Sequence, residues 1–218
     1  LTGVAPNRGE GTSLADIELA VQTEIPLLKQ HLSDVLWAIK GQRVEGERYN
    51  RISGQSAPIT MTPSRTRGIE QGFGCLARFF PGLREELASI DDELVRRILG
   101  PVKKGRAQTF EDQYISSGGQ LYEVLMGHDR WVADIRPLME PLLARRGTAL
   151  GLCAHPYDLS AELIARQAGV IVINEKGEPL DCPLDVETDV TWLAFANPAL
   201  HKLLWPVLKD ILGERSIL

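Results

Sequence analysis

The stretch Tyr157-Asp158-Leu159-Ser160-Ala161-Glu162-Leu163-Ile164-Ala165-Arg166-Gln167-Ala168-Gly169-Val170-Ile171-Val172 decides the fold class. Leu159 to Ala168 reads as a helix stopped by Gly169. The apolar run Val170 to Ile173 follows at once and reads as a strand covered on both faces. Upstream, Ala149 to Cys153 reads as another strand, so Asp158 falls at a strand-to-helix junction, where sites of α/β proteins gather. Local sequence leaves two roles open for Asp158: helix cap, or ligand.

Outward from this stretch, helices and strands keep alternating. Gly72 to Phe80 reads as a buried strand. Leu83, Leu87, Ile90, Leu94 and Ile98 fall on one helical face that ends at Gly100. A helix opens near Gly119, a strand covers Trp131 to Ile135, and a helix runs from Pro137 to about Arg146. After the strand Thr191 to Ala196, Asn197 is placed to cap a helix with Pro198 at its first position. Pro206 predicts a kink in that helix and Gly213 its stop.

Before residue 68 the pattern is different. Leu14 to Ile25 alternates apolar and polar positions, Val35 to Ile39 forms the second arm of a hairpin, and Arg48 to Ile52 and Ile59 to Met61 read as short strands. The division predicts a β-rich part, 1–68, and a mixed α/β part, 69–218.

Composition bounds the function. Of 218 residues, 44% are apolar and 24% charged, which suits a globular chain with a sizeable core. The 29 acidic against 24 basic side chains, a net charge of -5, give no field that would attract nucleic acid or an anionic membrane. Cys75, Cys153 and Cys182 form no CxxC pair, which predicts no disulfide framework and a reducing, cytoplasmic setting. No apolar run is long enough to span a bilayer. GxGxxG, GxxxxGK[ST], HExxH and GxSxG are all missing, and His31, His128, His155 and His201 lie far apart. The acidic stretch Asp181 to Asp189 lacks the spacing of an EF-hand and reads as a solvated loop.

The quoted run, with Gly177-Glu178-Pro179-Leu180 after it, resembles the signature of the inositol monophosphatase family: an aromatic-Asp pair opens a helix that ends in Ala-Gly before a buried strand. Ser116-Ser117-Gly118-Gly119-Gln120-Leu121 and Asp129-Arg130-Trp131-Val132-Ala133-Asp134 are similar to the family's small-residue helix start and its "GRxDA" strand. Ala196-Asn197-Pro198-Ala199-Leu200-His201 is similar to its last strand and helix. Leu36-Trp37-Ala38-Ile39-Lys40-Gly41 stands in place of "ELFxAxxGxG".

The resemblance implies a layered α/β/α/β/α sandwich and Mg²⁺-dependent hydrolysis of a small phosphorylated polyol or sugar. It also implies Asp158 as a metal ligand, and a homodimer. Ser117, Gly118 and Gly119 are the expected substrate-binding residues, since small side chains let a ligand approach the N-H groups of a helix start. Three departures stand out. The Glu-rich segment and DPxDGT-type motif that carry the family's other ligands are not found, the chain opens on Leu1 rather than Met, and the substrate-binding acid seven positions before the metal Asp falls on Gly151. The expectation is a complete protein whose N-terminal helical and ligand-bearing part lies outside this chain. The alternative is a non-catalytic relative that binds without hydrolysis.

Overall fold

Strand periodicity builds the first sheet. The computed structural model describes residues 1–218, beginning with β1 (Thr2–Val4), β2 (Leu19–Thr23), β3 (Leu32–Ile39), β4 (Glu45–Asn50) and β5 (Gln55–Pro58). These pair in sequence order, each antiparallel to the next. In β3 every second side chain, Asp34, Leu36 and Ala38, is buried and the others are turned outward.

Two expectations for this part change. Leu14–Asp16 is a 3-10 turn rather than the start of a strand, because the Asp16 carboxylate folds back to accept the Ser13 N-H at 3.0 Å. The last hairpin turns earlier than expected. Asn50 Oδ1 accepts the N-H groups of Ile52 and Ser53, and Gly54 takes φ +72°, so Asn50 pairs with Gln55 and the returning strand ends at Pro58 instead of covering Ile59 to Met61.

The second part supplies β6 (Phe73–Leu76), α1 (Arg84–Leu99), α2 (Ser117–Met126), β7 (Asp129–Asp134), α3 (Glu140–Arg145), α4 (Glu162–Gln167), β8 (Ile171–Ile173), β9 (Trp192–Phe195) and α5 (Pro198–Glu214). Its sheet has the order β6-β7-β9-β8, with only the β6–β7 pair parallel. Ala149 to Cys153 forms no strand. The segment pairs with no strand of the sheet, and its Leu152 carbonyl accepts from Arg136 at 2.6 Å.

Helices α2 and α4 lie between the sheets: α4 packs on β2 and β3 on one side and on β8 on the other, while α2 packs on β7 and β9. Helices α1 and α5 pair on the far face of the second sheet. Residues 1–218 therefore form four layers, β/α/β/α, around one core. That core runs from Leu14, Ile17 and Leu36 through Ile164 to Trp192 and Leu204. Asn197 caps α5 by accepting the N-H groups of Ala199 and Leu200 at 2.8 and 3.0 Å. The helix runs unbroken through Pro206, which sits on its exposed side where water reaches the freed carbonyl. Gly213 is inside the helix, and the reversal comes at Ser216, with φ +54°.

Candidate functional site

Helix α2 starts where it does because Ser116 Oγ accepts the Gly119 N-H at 3.1 Å. The N-H groups of Ser117 and Gly118 have no protein acceptor. Glycine is needed at 118 and 119 for close packing: a Cβ on Gly118 would lie 2.7 Å from the Leu1 side chain, and one on Gly119 would overlap the Tyr114 ring. In this structure the close approach is thus made by Leu1 and Tyr114. Ser117 is buried and turned into the protein.

A cavity of about 500 Å³ opens beside this helix start, and Gly118, Gly119 and Asp158 all line it. Asp158 reaches it from a 3-10 turn, Pro156–Leu159, in which its Oδ2 accepts the His155 N-H at 2.9 Å. The second oxygen takes no hydrogen bond from the protein, so Asp158 both caps its turn and presents a free acceptor to the cavity. His155 stacks on Tyr157 with ring centroids 5.2 Å apart, and its Nε2 is 3.7 Å from the Asp189 carboxylate. Its buried Nδ1 has no hydrogen-bond partner.

Two acids of the loop that follows, Asp185 and Asp181, are occupied. Asp185 accepts the N-H groups of Glu187 and Thr188 and the Thr188 hydroxyl, bonds that hold its carboxyl below the usual range. Asp181 accepts the Ala15 N-H at 2.9 Å. Gly151 is exposed, with nothing packed against it. Nowhere do three His, Cys, Asp or Glu side chains converge as a metal site requires. Mg²⁺ needs a near-octahedral oxygen shell, and Glu24, Glu123 and Asp158, which line one cavity without converging, do not make a Mg²⁺ centre. The residues present do not fit that ion.

Sequence reasoning did not find the rest of the cavity wall. Glu24 closes β2, Tyr122 and Glu123 come from α2, and Gln22 ties the two together by donating to the Gly118 carbonyl at 2.8 Å. Behind Tyr122 lies Asp34, which is 2% exposed. Arg48 grips it with two hydrogen bonds of 2.7 Å, and the Tyr122 hydroxyl donates at 2.6 Å. Burial alone would raise the Asp34 carboxyl, but the bonds from Arg48 and Tyr122 outweigh it and hold the carboxyl below its usual range. One signal was available: Asp34 takes an inward position of an alternating strand, where a charge demands a partner.

Asp129, at the start of β7, is 5% exposed, and burial, then Glu123 and Asp112, push its carboxyl up to about 7. Its folded value lies above its unfolded value of 3.8, so folding favours the protonated acid. That contribution is complete below pH 4 and is lost as pH rises through 7. Asp129→Asn is therefore expected to stabilise the fold by roughly 1–3 kcal/mol at pH 8 and to change little at pH 4. Urea midpoints at the two pH values check this. Equal shifts at both would remove the electrostatic account.

All three cysteines are free thiols. Burial pushes Cys153 and Cys182 each up to about 12, which keeps them protonated and unreactive at neutral pH. No helix is long and apolar enough to cross a membrane.

No protein-family model matches the sequence, and no curated protein matches it. Solved structures do match. Mycobacterium tuberculosis SuhB superposes with a TM-score of 0.52 at 13% identity, over 84% of this chain and 59% of SuhB. Leishmania major fructose-1,6-bisphosphatase in its T-state gives a TM-score of 0.56 at 12% identity, over 92% of this chain and 56% of its own. The chain spans less than two thirds of either structure. At these identities the match concerns the fold. Two sheets separated by a helical layer agree with these superpositions, and residues 1–218 have the α/β sandwich fold of the inositol monophosphatase and fructose-1,6-bisphosphatase type.

Proposed function

We propose that the complete protein hydrolyses a small phosphate monoester, a phosphorylated polyol or sugar, with Mg²⁺, and that residues 1–218 supply the cavity that holds the ligand. One observation carries this reading: the α2 start and Asp158, far apart in sequence, line one cavity in a fold shared with a structure named as a sugar bisphosphatase. The volume, about 500 Å³, suits a small metabolite.

The lining chemistry suits hydroxyl groups. Glu24, Glu123 and Asp158 are acceptors for O-H donors, in charge-assisted bonds roughly twice as strong as neutral ones. Tyr114 and Tyr122 add flat, amphipathic walls. A phosphate dianion, by contrast, meets three carboxylates and no Lys, Arg or His in this cavity. Hydrolysis there depends on cations held by carboxylates beyond Asp158. In the same reading 1–68 is the remainder of an N-terminal domain, 69–218 is the C-terminal domain, and the protein is a cytoplasmic homodimer.

A second reading, a binding module without hydrolysis, is favoured by the lack of converging metal ligands. Calorimetry with myo-inositol 1-phosphate, and turnover of an aryl phosphate with and without Mg²⁺, separate the two. The expected result is binding but no turnover by residues 1–218, and Mg²⁺-dependent turnover by the complete protein. Binding without turnover in the complete protein would establish the second reading, and no binding by either would overturn both.

A further inference from the structure

The connection between β2 and β3 carries Ile25, Leu27 and Leu28, large apolar side chains that are 87%, 72% and 93% exposed, and Ile115, just before α2, is 71% exposed. Ile25 and Leu27 line the cavity beside Asp158, and so does Tyr114, the chain neighbour of Ile115. Tyr157, half exposed, adjoins Asp158 itself. Exposed apolar groups thus gather at one opening, a concentration that marks a contact surface, whereas scattered single ones are ordinary. Polar bonds fix the tip of the connection in this shape. The Gln30 side-chain oxygen accepts the Leu27 N-H at 2.7 Å, the Gln30 N-H donates to the Leu27 carbonyl at 2.9 Å, and Arg51 donates to the Leu28 carbonyl at 2.9 Å. Leu27 and Leu28 therefore meet solvent already ordered, which lowers the entropic cost of contact with a partner.

We propose that this opening docks a partner protein through a short segment in which one Lys or Arg is flanked by apolar side chains: the cation enters the cavity and the flanks cover its rim. Charge selects the cation. Glu24, Glu123 and Asp158 line the cavity, and no Lys, Arg or His side chain does. Glu123 spends one oxygen on His128, and Asp158 keeps one oxygen free. Lys29, on the same tip, lines a neighbouring recess and not this cavity. An ammonium or guanidinium inside gains charge-assisted bonds from these carboxylates and the faces of Tyr114 and Tyr122, while an acidic segment is repelled. Extent selects a segment over a free amine. A small amine fills part of the cavity and leaves Leu28, Ile115 and Tyr157 in water, whereas a peptide reaches both. The docking goes beyond the reading of the cavity as a polyol site and does not depend on hydrolysis. A side chain lodged there takes the space of the polyol, so docking closes the site.

The test is fluorescence anisotropy on residues 1–218 with a labelled, end-capped peptide that has one central lysine between leucines and serines at both ends, against the same peptide with norleucine or glutamate at the centre. The lysine peptide is expected to bind about tenfold or more tightly than the norleucine peptide, an advantage that shrinks as salt is raised, and the glutamate peptide weakest of all. In Glu24→Gln the advantage of lysine is expected to fall about threefold or more while the norleucine peptide binds as before. In the double variant Leu27→Ser, Leu28→Ser both peptides are expected to weaken alike. Leu27 and Leu28 are exposed and Glu24 is half-buried, so the substitutions leave the core untouched, and circular dichroism checks the fold. Equal affinity for the lysine and norleucine peptides, or binding indifferent to Leu27→Ser, Leu28→Ser, would overturn the inference, as would no binding of any peptide. Butylamine that binds as tightly as the lysine peptide would make this a site for small amines instead. A dimer in sedimentation that Leu27→Ser, Leu28→Ser dissolves, without peptide binding, would give the rim to a second copy and equally overturn it.

Discussion

Replacing Asp134 by Ala is expected to cost about 3–5 kcal/mol of folding free energy, read as a large fall in the urea midpoint. Asp134 is fully buried and Arg136 nearly so. The guanidinium donates from Nε at 2.8 Å and from Nη2 at 2.5 Å to the two carboxylate oxygens, and from Nη1 to the Leu152 carbonyl at 2.6 Å. It also lies over the Phe79 ring, 4.6 Å from the centroid. Removing the carboxylate leaves a charged group in the core with one acceptor in place of three, and no route to water. The double replacement Asp134→Leu with Arg136→Met removes both desolvation costs, and its stability is expected to return to within about 1–2 kcal/mol of the original. A small change in Asp134→Ala itself would mean that the pair is hydrated in solution. Since the same guanidinium grips Leu152, the single variant also loosens the segment leading to His155 and Asp158.

Asp158→Asn is expected to abolish turnover of the complete protein, by about 100-fold or more, with a stability change of only a few tenths of a kcal/mol. The two readouts separate if, as proposed, Asp158 both caps its turn and holds a cation in the complete protein. Asn keeps an oxygen that accepts the His155 N-H, so the turn keeps its cap. The amide has no charge to offer a hard cation, so occupancy of a metal held there would fall. Turnover at saturating Mg²⁺ against the urea midpoint measures both. Full turnover in the variant would leave Asp158 as a cap alone.

Legibility followed the clarity of the local signal. Helices α1 and α5 were readable because Leu87, Ile90 and Leu94, and Leu200, Leu204 and Leu208, form long buried stripes, and because Asn197 followed by Pro198 is a sharp start. Strands β4 and β5 were blurred for the opposite reason. Glu45 to Asn50 alternates in burial, but its inner positions are Gly46, Arg48 and Asn50, and Gln55 to Pro58 at the edge is exposed throughout, so no apolar pattern marks their bounds. Ala149 to Cys153 had strand composition, but whether a strand forms depends on where the assembled fold places the segment, and Arg136 takes its Leu152 carbonyl. Of the candidate cavity, the sequence pointed only to Asp158 and to the helix start at Gly118 and Gly119, while Ser117 does not line it. Glu24, Tyr122 and Arg48 carry no motif, and nothing local indicates that β2, α2 and β4 meet.

The order β6-β7-β9-β8 has a consequence for the chain as it is being made. Strand β9 is the inner member that joins β7 to β8, yet of the four strands of this sheet it is the last to leave the ribosome. At about 5–20 residues per second, β7 waits roughly 3–12 s, and β8 roughly 1–4 s, for Trp192 to Phe195 to arrive. During that interval the apolar edge of Ile171 to Ile173 has no native partner. Slow emergence of the chain between residues 173 and 195 prolongs this exposure and is expected to raise aggregation of the newborn chain.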